Sequence, residues 1–377
     1  MAVSLGCRPY YGRTAETVLG LPAAAGITPC AINPCRATLP CVDELQQALD
    51  DIALSTGFSG AVRVDDRDGQ RLATAYGLAH RAHGIANTVD TRFAIASGVK
   101  GLTALTVAGL IEEGRLGLDT TARSVLGEDL PLIDDAVTVE HLLGHRSGIG
   151  DYVDEDEDEG EITDYILPVP VHQLTTSEEY LPVLAGHPQK FPPGEQFYYC
   201  NSGFVVLAII AERCGGAPFP DLMQRLVTGP AGMTDTAFLR SDELPAGTAT
   251  GYLTATEPRT NVLHLPVVGS GDGGIYSTLA DFHSFWPALF DGRIVPAERV
   301  ASMVRPRSAA QEENPRRYGL GFWLRATGDA VYLEGYDAGV SFRSVHDPGT
   351  GVTHTVVSNW SDGAWPVSRR LGELLQT

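Results

Sequence analysis

The stretch Ser97-Gly98-Val99-Lys100-Gly101-Leu102-Thr103-Ala104-Leu105 is apolar apart from its hydroxyl groups and one lysine. Apolar residues continue through Leu110 and Ile111, and Gly114 follows after two glutamates, which predicts a buried helix over residues 97–113 that ends at Gly114. An unpaired charge inside such a helix is costly. Lysine is also rare here, since Lys100 and Lys190 are the only two in the sequence. The position of Lys100 therefore indicates a functional lysine.

Ser97 and Lys100 are three residues apart, so they share one face of the predicted helix. A serine hydroxyl is a weak nucleophile until a neighbouring group takes its proton. A lysine in apolar surroundings has a lowered pKa and can be that neighbour. The helix N-terminus also offers backbone N–H groups to an oxyanion. The alternative is a capping serine followed by a lysine whose ammonium reaches solvent.

The elements on either side of this helix define the predicted fold. A helical pattern at Val42–Leu54 is followed by two alternating runs, Gly60–Val64 and Leu72–Tyr76, which predict a hairpin. Further predicted helices lie at Thr138–Leu143, Asn201–Glu212, Pro218–Val227, Ser277–Leu289 and Trp365–Leu375, and further strands at Leu320–Leu324, Ala330–Leu333, Val340–His346 and Val352–Val357.

This order predicts an α+β fold in which an antiparallel sheet is flanked by helices and a mostly helical domain is inserted. The predicted units are an N-terminal arm at residues 1–40, an α/β sheet domain at 41–120 plus 275–377, and the inserted helical domain at 121–274.

Two further motifs carry candidate site residues. Tyr199 and Asn201 flank Cys200 just before a predicted helix, and in an extended segment their side chains point the same way. A tyrosine beside a lysine ammonium loses its proton more easily and can act as a general base. The alternative is a core tyrosine followed by a helix-capping asparagine.

The third motif, Gly335-Tyr336-Asp337-Ala338-Gly339-Val340-Ser341, lies between two predicted strands. Its small residues allow close approach of a substrate, and one of its backbone N–H groups is a candidate second oxyanion donor. The alternative is a plain turn between strands.

These three motifs together resemble the serine hydrolase family of class C β-lactamases, penicillin-binding DD-peptidases, D-aminopeptidases and related esterases. The resemblance runs from about Val42 to the end of the sequence. Its other blocks are Thr138-Val139-Glu140-His141-Leu142-Leu143-Gly144-His145-Arg146-Ser147-Gly148, Pro230-Ala231-Gly232-Met233-Thr234-Asp235-Thr236, Gly271-Asp272-Gly273-Gly274-Ile275-Tyr276-Ser277-Thr278 and Tyr318-Gly319-Leu320-Gly321-Phe322.

The resemblance implies a β-lactamase/transpeptidase-like fold with Ser97 as nucleophile, Lys100 and Tyr199 as its activators, and a site between the two domains. Asn201, Tyr336, Asp337, Ala338 and Gly339 are the implied substrate-binding residues. The N–H of Gly339 is the expected oxyanion donor.

The third motif departs from the family pattern. β-Lactamases of this class carry K-T-G, whereas the alignment gives Tyr336-Asp337-Ala338, which offers no cation to a β-lactam carboxylate. Arg343 is the nearby cation that would change this expectation. We therefore expect a neutral or cationic acyl substrate, an ester or an amide.

Composition excludes several other classes. The 377 residues carry a formal net charge of −20, which disfavours nucleic-acid binding. Apolar runs are too short to span a bilayer. The ten histidines are scattered without an H-E-x-x-H motif, and no G-x-S-x-G string occurs. No metal, cofactor, nucleic-acid or membrane partner is predicted, and the sequence does not determine the oligomeric state.

The cysteines, the N-terminus and the acidic segment lead to three further expectations. Four of six cysteines, Cys7, Cys30, Cys35 and Cys41, lie in or next to the arm; free thiols are favoured and disulfides are the alternative. A cytoplasmic location is expected, with secretion as the alternative, because no clear signal peptide is visible. The acidic run within residues 154–161 predicts a solvated loop, and a cation site is the alternative.

The sequence thus predicts a serine hydrolase or acyltransferase that acts through an acyl-Ser97 intermediate on a small ester or amide. A β-lactamase or D-amino-acid peptidase is the alternative within the family. A non-catalytic penicillin-binding-like module is the alternative outside enzymes.

Overall fold

A computed structural model describes residues 39–154, 162–163, 166–310 and 316–377. Nearly all of the predicted arm and most of the acidic run lie outside these residues, and so do Cys7, Cys30 and Cys35. Cys41, Cys200 and Cys214 are described and carry free thiols.

The strands are β1 Gly60–Asp66, β2 Gly69–Tyr76, β3 Leu78–His80, β4 Ile85–Ala86, β5 Phe93–Ala94, β6 Ala237–Phe238, β7 Ile275–Ser277, β8 Arg316–Tyr318, β9 Trp323–Arg325, β10 Val331–Asp337, β11 Val340–His346 and β12 Thr353–Ser358. The helices are α1 Val42–Thr56, α2 Val99–Glu112, α3 Ala122–Leu126, α4 Val139–Leu143, α5 Leu181–Leu184, α6 Asn201–Gly215, α7 Phe219–Met223, α8 Gly229–Ala231, α9 Leu279–Phe290, α10 Ala297–Met303 and α11 Ala364–Leu375.

The main sheet has seven antiparallel strands in the order β2-β1-β12-β11-β10-β9-β8. Strands from both ends of the chain therefore form one sheet, which confirms the predicted antiparallel α+β class. Every residue of β12 is buried, as expected for a strand covered on both faces. Helices α1 and α11 pack on one face around Leu49, Val62 and Leu371.

Helices α2, α6 and α9 belong to the larger hydrophobic cluster on the other face. Helix α2 is buried over its whole length from Val99 to Leu110, in agreement with its apolar sequence. A small sheet in the order β5-β7-β6 lies at the start of this helix. Because β6 belongs to the predicted insert while β5 and β7 belong to the predicted sheet domain, the division into domains stays a prediction.

Of the described residues, no single helix has the length and apolar character to cross a bilayer. Helix α6 and the segment Phe219–Ala231, bent by 81°, meet that criterion together by length and composition.

Candidate active site

Ser97 lies in a tight turn that joins β5 to α2. Residues Ala96–Gly98 form one 3-10 turn, and the α-helix begins only at Val99. The helix predicted from residue 97 therefore starts two residues later. Ala96 has φ 44°, a left-handed conformation that is uncommon for a residue with a side chain. Such local strain is typical of functional sites, where the surrounding fold enforces it.

Lys100 is buried with 2% exposure, and its Nζ atom contacts three oxygens. These are Ser97 Oγ at 2.7 Å, Asn201 Oδ1 at 2.9 Å and the backbone oxygen of Asp272 at 2.9 Å. An amide oxygen and a backbone carbonyl can only accept hydrogen bonds. These two oxygens accept from the lysine nitrogen, which also lies within hydrogen-bond distance of Ser97 Oγ and can exchange a proton with it. The geometry thus suits a lysine that acts as a base.

Asn201 is held in one orientation at the first turn of α6. Its Nδ2 donates to the backbone oxygen of Val153 at 3.2 Å, so Oδ1 is the atom that faces Lys100. Tyr199, two residues earlier, places its ring centroid 5.0 Å from Lys100 Nζ. The extended backbone of Cys200 between them (φ −147°, ψ 114°) sends both side chains to one lysine. Ser97, Lys100, Tyr199 and Asn201 are therefore brought together as expected.

His145 is a site residue that the sequence analysis did not single out. It is 1% exposed, and its ring packs against Tyr199 with centroids 4.4 Å apart. Its Nδ1 accepts the N–H of Cys200 at 3.1 Å. Burial, reinforced by the charge of Lys100, holds the pKa of His145 well below its usual value. His145 is therefore a neutral platform for the Tyr199 segment.

Asp151 supplies the N-terminal cap of α6. Its Oδ2 accepts the N–H of Asn201 at 2.7 Å, and its Oδ1 accepts the N–H of Ser202 at 2.8 Å. The first N–H groups of a helix lack partners within the helix, and a carboxylate there is favourable. The cap therefore comes from a residue that lies 50 positions earlier in the chain. No local sequence pattern could have revealed it.

The third motif is placed differently from the expectation. Residues Gly335, Tyr336 and Asp337 belong to β10, and only Ala338 and Gly339 form the turn. The N–H of Gly339 donates to Ser361 Oγ at 2.9 Å, so it is directed away from Ser97. Asn261 donates to the backbone oxygen of Ala338 at 2.8 Å. The expected oxyanion role of Gly339 is therefore not met.

Gly335 is the residue of β10 that abuts the serine turn. A Cβ atom at Gly335 would lie 1.9 Å from the backbone oxygen of Ile95 and 2.9 Å from the nitrogen of Gly98. Along an antiparallel pair of strands, hydrogen-bonded residue pairs alternate with pairs whose N–H groups point away from the partner strand. Because the pair Asp337 and Val340 closes the two-residue turn, the N–H of Tyr336 points away from β11, toward the outer edge of β10.

Ser97 opens into a cleft between the serine turn and the loops that precede β7. Its apolar lining residues are Ala94, Val153, Ile162, Leu239, Leu265, Pro266 and Val267. Its polar lining residues are Ser97, Tyr152, Tyr180, Asn201, Ser241, Asn261, Asp272, Tyr276, Tyr336 and Asp337. The described lining residues include two carboxylates and no arginine, lysine or histidine. Ala338 and Gly339 lie outside this lining set.

Arg343, the cation that could have changed the substrate expectation, faces a different region. Its guanidinium contacts the carboxylate of Glu334 and lies 5.4 Å from the Trp365 ring centroid. The charges of Arg343 and Arg316 hold the pKa of Glu334 below its usual value against the opposing effect of burial. Arg343 is therefore part of an ion-pair cluster, and it is not among the described residues that line the cleft.

The described residues contain no group of three or more histidine, cysteine, aspartate or glutamate side chains that could hold a metal ion.

Comparison with known proteins identifies the family. A family model described as beta-lactamase matches residues 41–376, and the chain belongs to that family. It is 32% identical over 226 residues to the esterase EstB of Burkholderia gladioli, with 58% of this chain covered. It is 29% identical over 315 residues to a D-aminopeptidase of Cereibacter sphaeroides (strain ATCC 17029 / ATH 2.4.9), with 79% covered. The matches span only 56% and 57% of the length of these two relatives.

Solved structures share the fold. A penicillin-binding protein from Bacillus halodurans superposes with a TM-score of 0.80 at 32% identity, covering 88% of this chain and 99% of that one. The D-amino acid amidase of Ochrobactrum anthropi superposes with a TM-score of 0.70 at 22% identity, covering 88% and 98%. These similarities agree with the predicted β-lactamase/transpeptidase-like fold.

Proposed function

We propose that this protein is a serine hydrolase or acyltransferase that forms an acyl intermediate on Ser97. The observation that carries the proposal is the contact of the buried Lys100 Nζ with Ser97 Oγ at 2.7 Å, beside contacts of the same nitrogen with Asn201 Oδ1 and the backbone oxygen of Asp272. A non-catalytic module has no need for a buried lysine in this arrangement, because burying the amine is costly.

Acylation begins when the Ser97 oxygen attacks the substrate carbonyl and its proton passes to Lys100. Tyr199 lies beside Lys100 and is the group we assign to carry that proton on to the leaving alcohol or amine. The oxyanion receives two backbone N–H groups, those of Ser97 and Tyr336. The N–H of Ser97 can donate to the oxyanion because N–H groups at the start of a helix have no acceptor within the helix. The N–H of Tyr336 can donate because it points to the outer edge of β10.

The charge of the cleft supports a neutral or cationic acyl substrate. Asp272 and Asp337 line it, and the described lining residues contribute no cation that would pair with a substrate carboxylate. The apolar wall around Leu239 and Leu265 accommodates a hydrocarbon group. Because the cleft favours an amine over a carboxylate, D-amino-acid amides remain a second candidate substrate class beside simple esters, whereas β-lactams are disfavoured.

Mass spectrometry after treatment with a fluorophosphonate tests the acyl intermediate. We expect one adduct, on Ser97, and none in Ser97→Ala. Ser241→Ala removes the other serine among the described lining residues and should still yield the Ser97 adduct. An adduct on a different serine, with Ser97→Ala still active, contradicts the proposal. A wild-type protein that forms no adduct and cleaves no substrate supports the non-catalytic module.

A separate assay with p-nitrophenyl esters, D-amino-acid p-nitroanilides and nitrocefin tests the substrate class. We expect turnover of the esters or of the D-amino-acid anilides, with nitrocefin the poorest substrate. Rapid nitrocefin turnover with slow ester cleavage would show that the charge of the cleft does not select the substrate.

A further inference from the structure

Asp272 is a buried carboxylate in the wall of the catalytic cleft for which acylation has no use. It is 7% exposed and lines the cleft together with Ser97. Its backbone oxygen accepts a hydrogen bond from Lys100 Nζ at 2.9 Å, and the same nitrogen is 2.7 Å from Ser97 Oγ. One lysine nitrogen therefore links the nucleophile to the backbone of Asp272.

A phenol holds the carboxylate of Asp272 in place. Tyr152, which also lines the cleft, donates from its hydroxyl to Asp272 Oδ2. Tyr152 is itself fixed, because its backbone N–H donates to Ser202 Oγ at 3.0 Å in the first turn of α6. The Tyr152–Asp272 pair is therefore built into the same framework as Lys100 and Asn201.

The chain around Asp272 keeps its wall of the cleft close to the nucleophile. Gly273 follows it, and a Cβ atom there would have a single neighbour within 4 Å, the carbonyl carbon of Ala96 at 3.9 Å. Both Gly273 and Gly274 line the cleft. The space that a side chain at Gly273 would occupy, beside Ala96, is therefore open.

We propose that Asp272, oriented by Tyr152, is the general base for deacylation, and that it activates the water which hydrolyses acyl-Ser97. This inference rests on the acyl intermediate of the proposed function and adds a second base that acts after Lys100 and Tyr199 have served acylation.

Deacylation transfers the acyl group from Ser97 to a water molecule. Water gives a proton to the Asp272 carboxylate while its oxygen bonds to the acyl carbon. The bond between that carbon and Ser97 Oγ then breaks, and the carboxylic acid leaves. The proton on Asp272 passes through the neutral Lys100 amine to Oγ, which restores the Ser97 hydroxyl. No oxidant, reductant or further reactant is needed.

The environment of Asp272 makes its carboxylate a stronger base than a carboxylate in water. Burial raises the pKa of Asp272, while the charge of Lys100 and the hydrogen bond from Tyr152 oppose that rise. Burial, together with the charges of Asp272 and Asp337, also raises the pKa of Tyr180. Deacylation should therefore slow as the pH falls through the raised pKa of Asp272.

The substitution Asp272→Asn tests the inference, because acylation and deacylation can be measured separately in this variant. This substitution keeps the backbone contact with Lys100 and retains an acceptor for Tyr152. We expect hydrolysis of a p-nitrophenyl ester to fall roughly 10²- to 10⁴-fold, the usual cost of losing a general base. Fluorophosphonate labelling of Ser97, which needs no deacylation, should fall by less than about tenfold, and an initial burst of p-nitrophenol should appear.

Mass spectrometry of the quenched reaction should then detect acyl-Ser97 in Asp272→Asn but not in the wild type. Tyr152→Phe should give a smaller change of the same kind. Asp281→Asn serves as the matched control. Asp281 is also buried, but its carboxylate accepts a hydrogen bond from Thr236, outside the residues that line the cleft. In Asp281→Asn the ratio of the labelling rate to the hydrolysis rate should equal that of the wild type.

Two results overturn the inference. One is an equal loss of labelling and hydrolysis in Asp272→Asn, which would make Asp272 a structural support for Lys100. The other is wild-type hydrolysis in this variant. If the wild-type protein itself shows no Ser97 adduct, the proposed function fails before the role of Asp272 is reached.

Discussion

Tyr199 and Tyr198 are adjacent in sequence but face different partners. Tyr199 packs against His145 and lies beside Lys100, whereas the hydroxyl of Tyr198 donates to Asp154 at 2.7 Å. The extended backbone before α6 explains the difference, since neighbouring side chains in an extended segment point in opposite directions. One phenol therefore belongs to the candidate active site, and the other to the ion pair between Asp154 and Lys190.

The first prediction concerns these two phenols. Tyr199→Phe should lower kcat roughly 10²- to 10⁴-fold, because it removes the hydroxyl that carries the proton from Lys100 to the leaving group while keeping the ring against His145. Tyr198→Phe is the matched control and should change kcat less than about threefold, since the hydroxyl that it removes contacts Asp154 and Lys190. Steady-state kinetics on one ester measures both. A Tyr199→Phe enzyme within threefold of the wild type would make Tyr199 a packing residue.

The second prediction concerns Asp151, the remote cap of α6. Asp151→Ala leaves the N–H groups of Asn201 and Ser202 without their acceptors, which should cost about 1–3 kcal/mol of unfolding free energy. Because Asn201 then loses its position against Lys100, kcat should fall more strongly than KM rises. Thermal unfolding and steady-state kinetics measure the two effects.

A second cap provides the control for Asp151. Glu44 accepts the backbone N–H of Cys41 at 3.0 Å at the start of α1, far from the cleft. Glu44→Gln should lower stability slightly and leave kcat unchanged. Equal effects of both substitutions on kcat would show that Asp151 acts through global stability alone.

The element whose placement decides the site is β10. It runs beside the serine turn, and a Cβ at Gly335 would meet the backbone of Ile95. On the neighbouring strand β11, the ring of Phe342 would lie 2.6 Å from a Cβ at Gly98. Interiors are packed too tightly to absorb such overlaps. These two glycines therefore fix the distance between the serine turn and the backbone of Tyr336, the proposed oxyanion donor.

The third prediction tests this contact. Gly335→Ala should lower the unfolding temperature by several degrees and reduce kcat severely, because backbone must move away from Ser97 to relieve the overlap. Gly203→Ala is the matched control in α6, where the nearest atom to the new Cβ is Leu142 at 3.7 Å. That substitution should be neutral or slightly stabilising. A fully active Gly335→Ala enzyme would show that β10 does not set the geometry.

The difference between the predicted and observed β10 has a physical reason. The alternating pattern ends at Leu333, and glycine is disfavoured in strands, so the sequence predicted that the strand stops before Gly335. In the structure the strand continues to Asp337, because the glycine is needed for the close approach to Ile95. The longer strand moves the proposed oxyanion donor from Gly339, the residue expected from the sequence, to Tyr336.

Site residues that lie in short local patterns were predictable, and residues that act across the chain were not. Ser97 and Lys100 are three positions apart, and Tyr199 and Asn201 are two apart. By contrast, Asp272 meets Lys100 from 172 positions away, and His145 meets Cys200 from 55. Such contacts depend on how α2, α6 and the cleft loops pack together, and periodicity within one element carries no information about that.

The net charge of the protein should affect kcat/KM for charged substrates. The net charge is −20, and two of the carboxylates in that total, Asp272 and Asp337, line the cleft. Such a field attracts cations and is screened by salt over about 8–10 Å at 0.10–0.15 M ionic strength.

The fourth prediction follows from this field. For an ester with an ammonium group in its acyl chain, kcat/KM should fall severalfold as ionic strength rises from about 0.01 to 0.15 M. The isosteric neutral ester, with a methyl group in place of the ammonium, should show little change. Stopped-flow or steady-state assays of the pair measure the difference. Parallel salt curves for the two esters would count against electrostatic selection.

The pairing of β1 with β12 also has a consequence for synthesis on the ribosome. Ser59 donates to Asn359 across a separation of 300 residues, and Gly60 lies opposite Ser358 in the sheet. At about 5–20 residues per second, roughly 15 to 60 s pass between the translation of β1 and that of its partner strand. During that interval the β1–β2 hairpin presents an unpaired edge, which is a template for aggregation. The nascent chain therefore depends on protection of that edge until its last strand emerges.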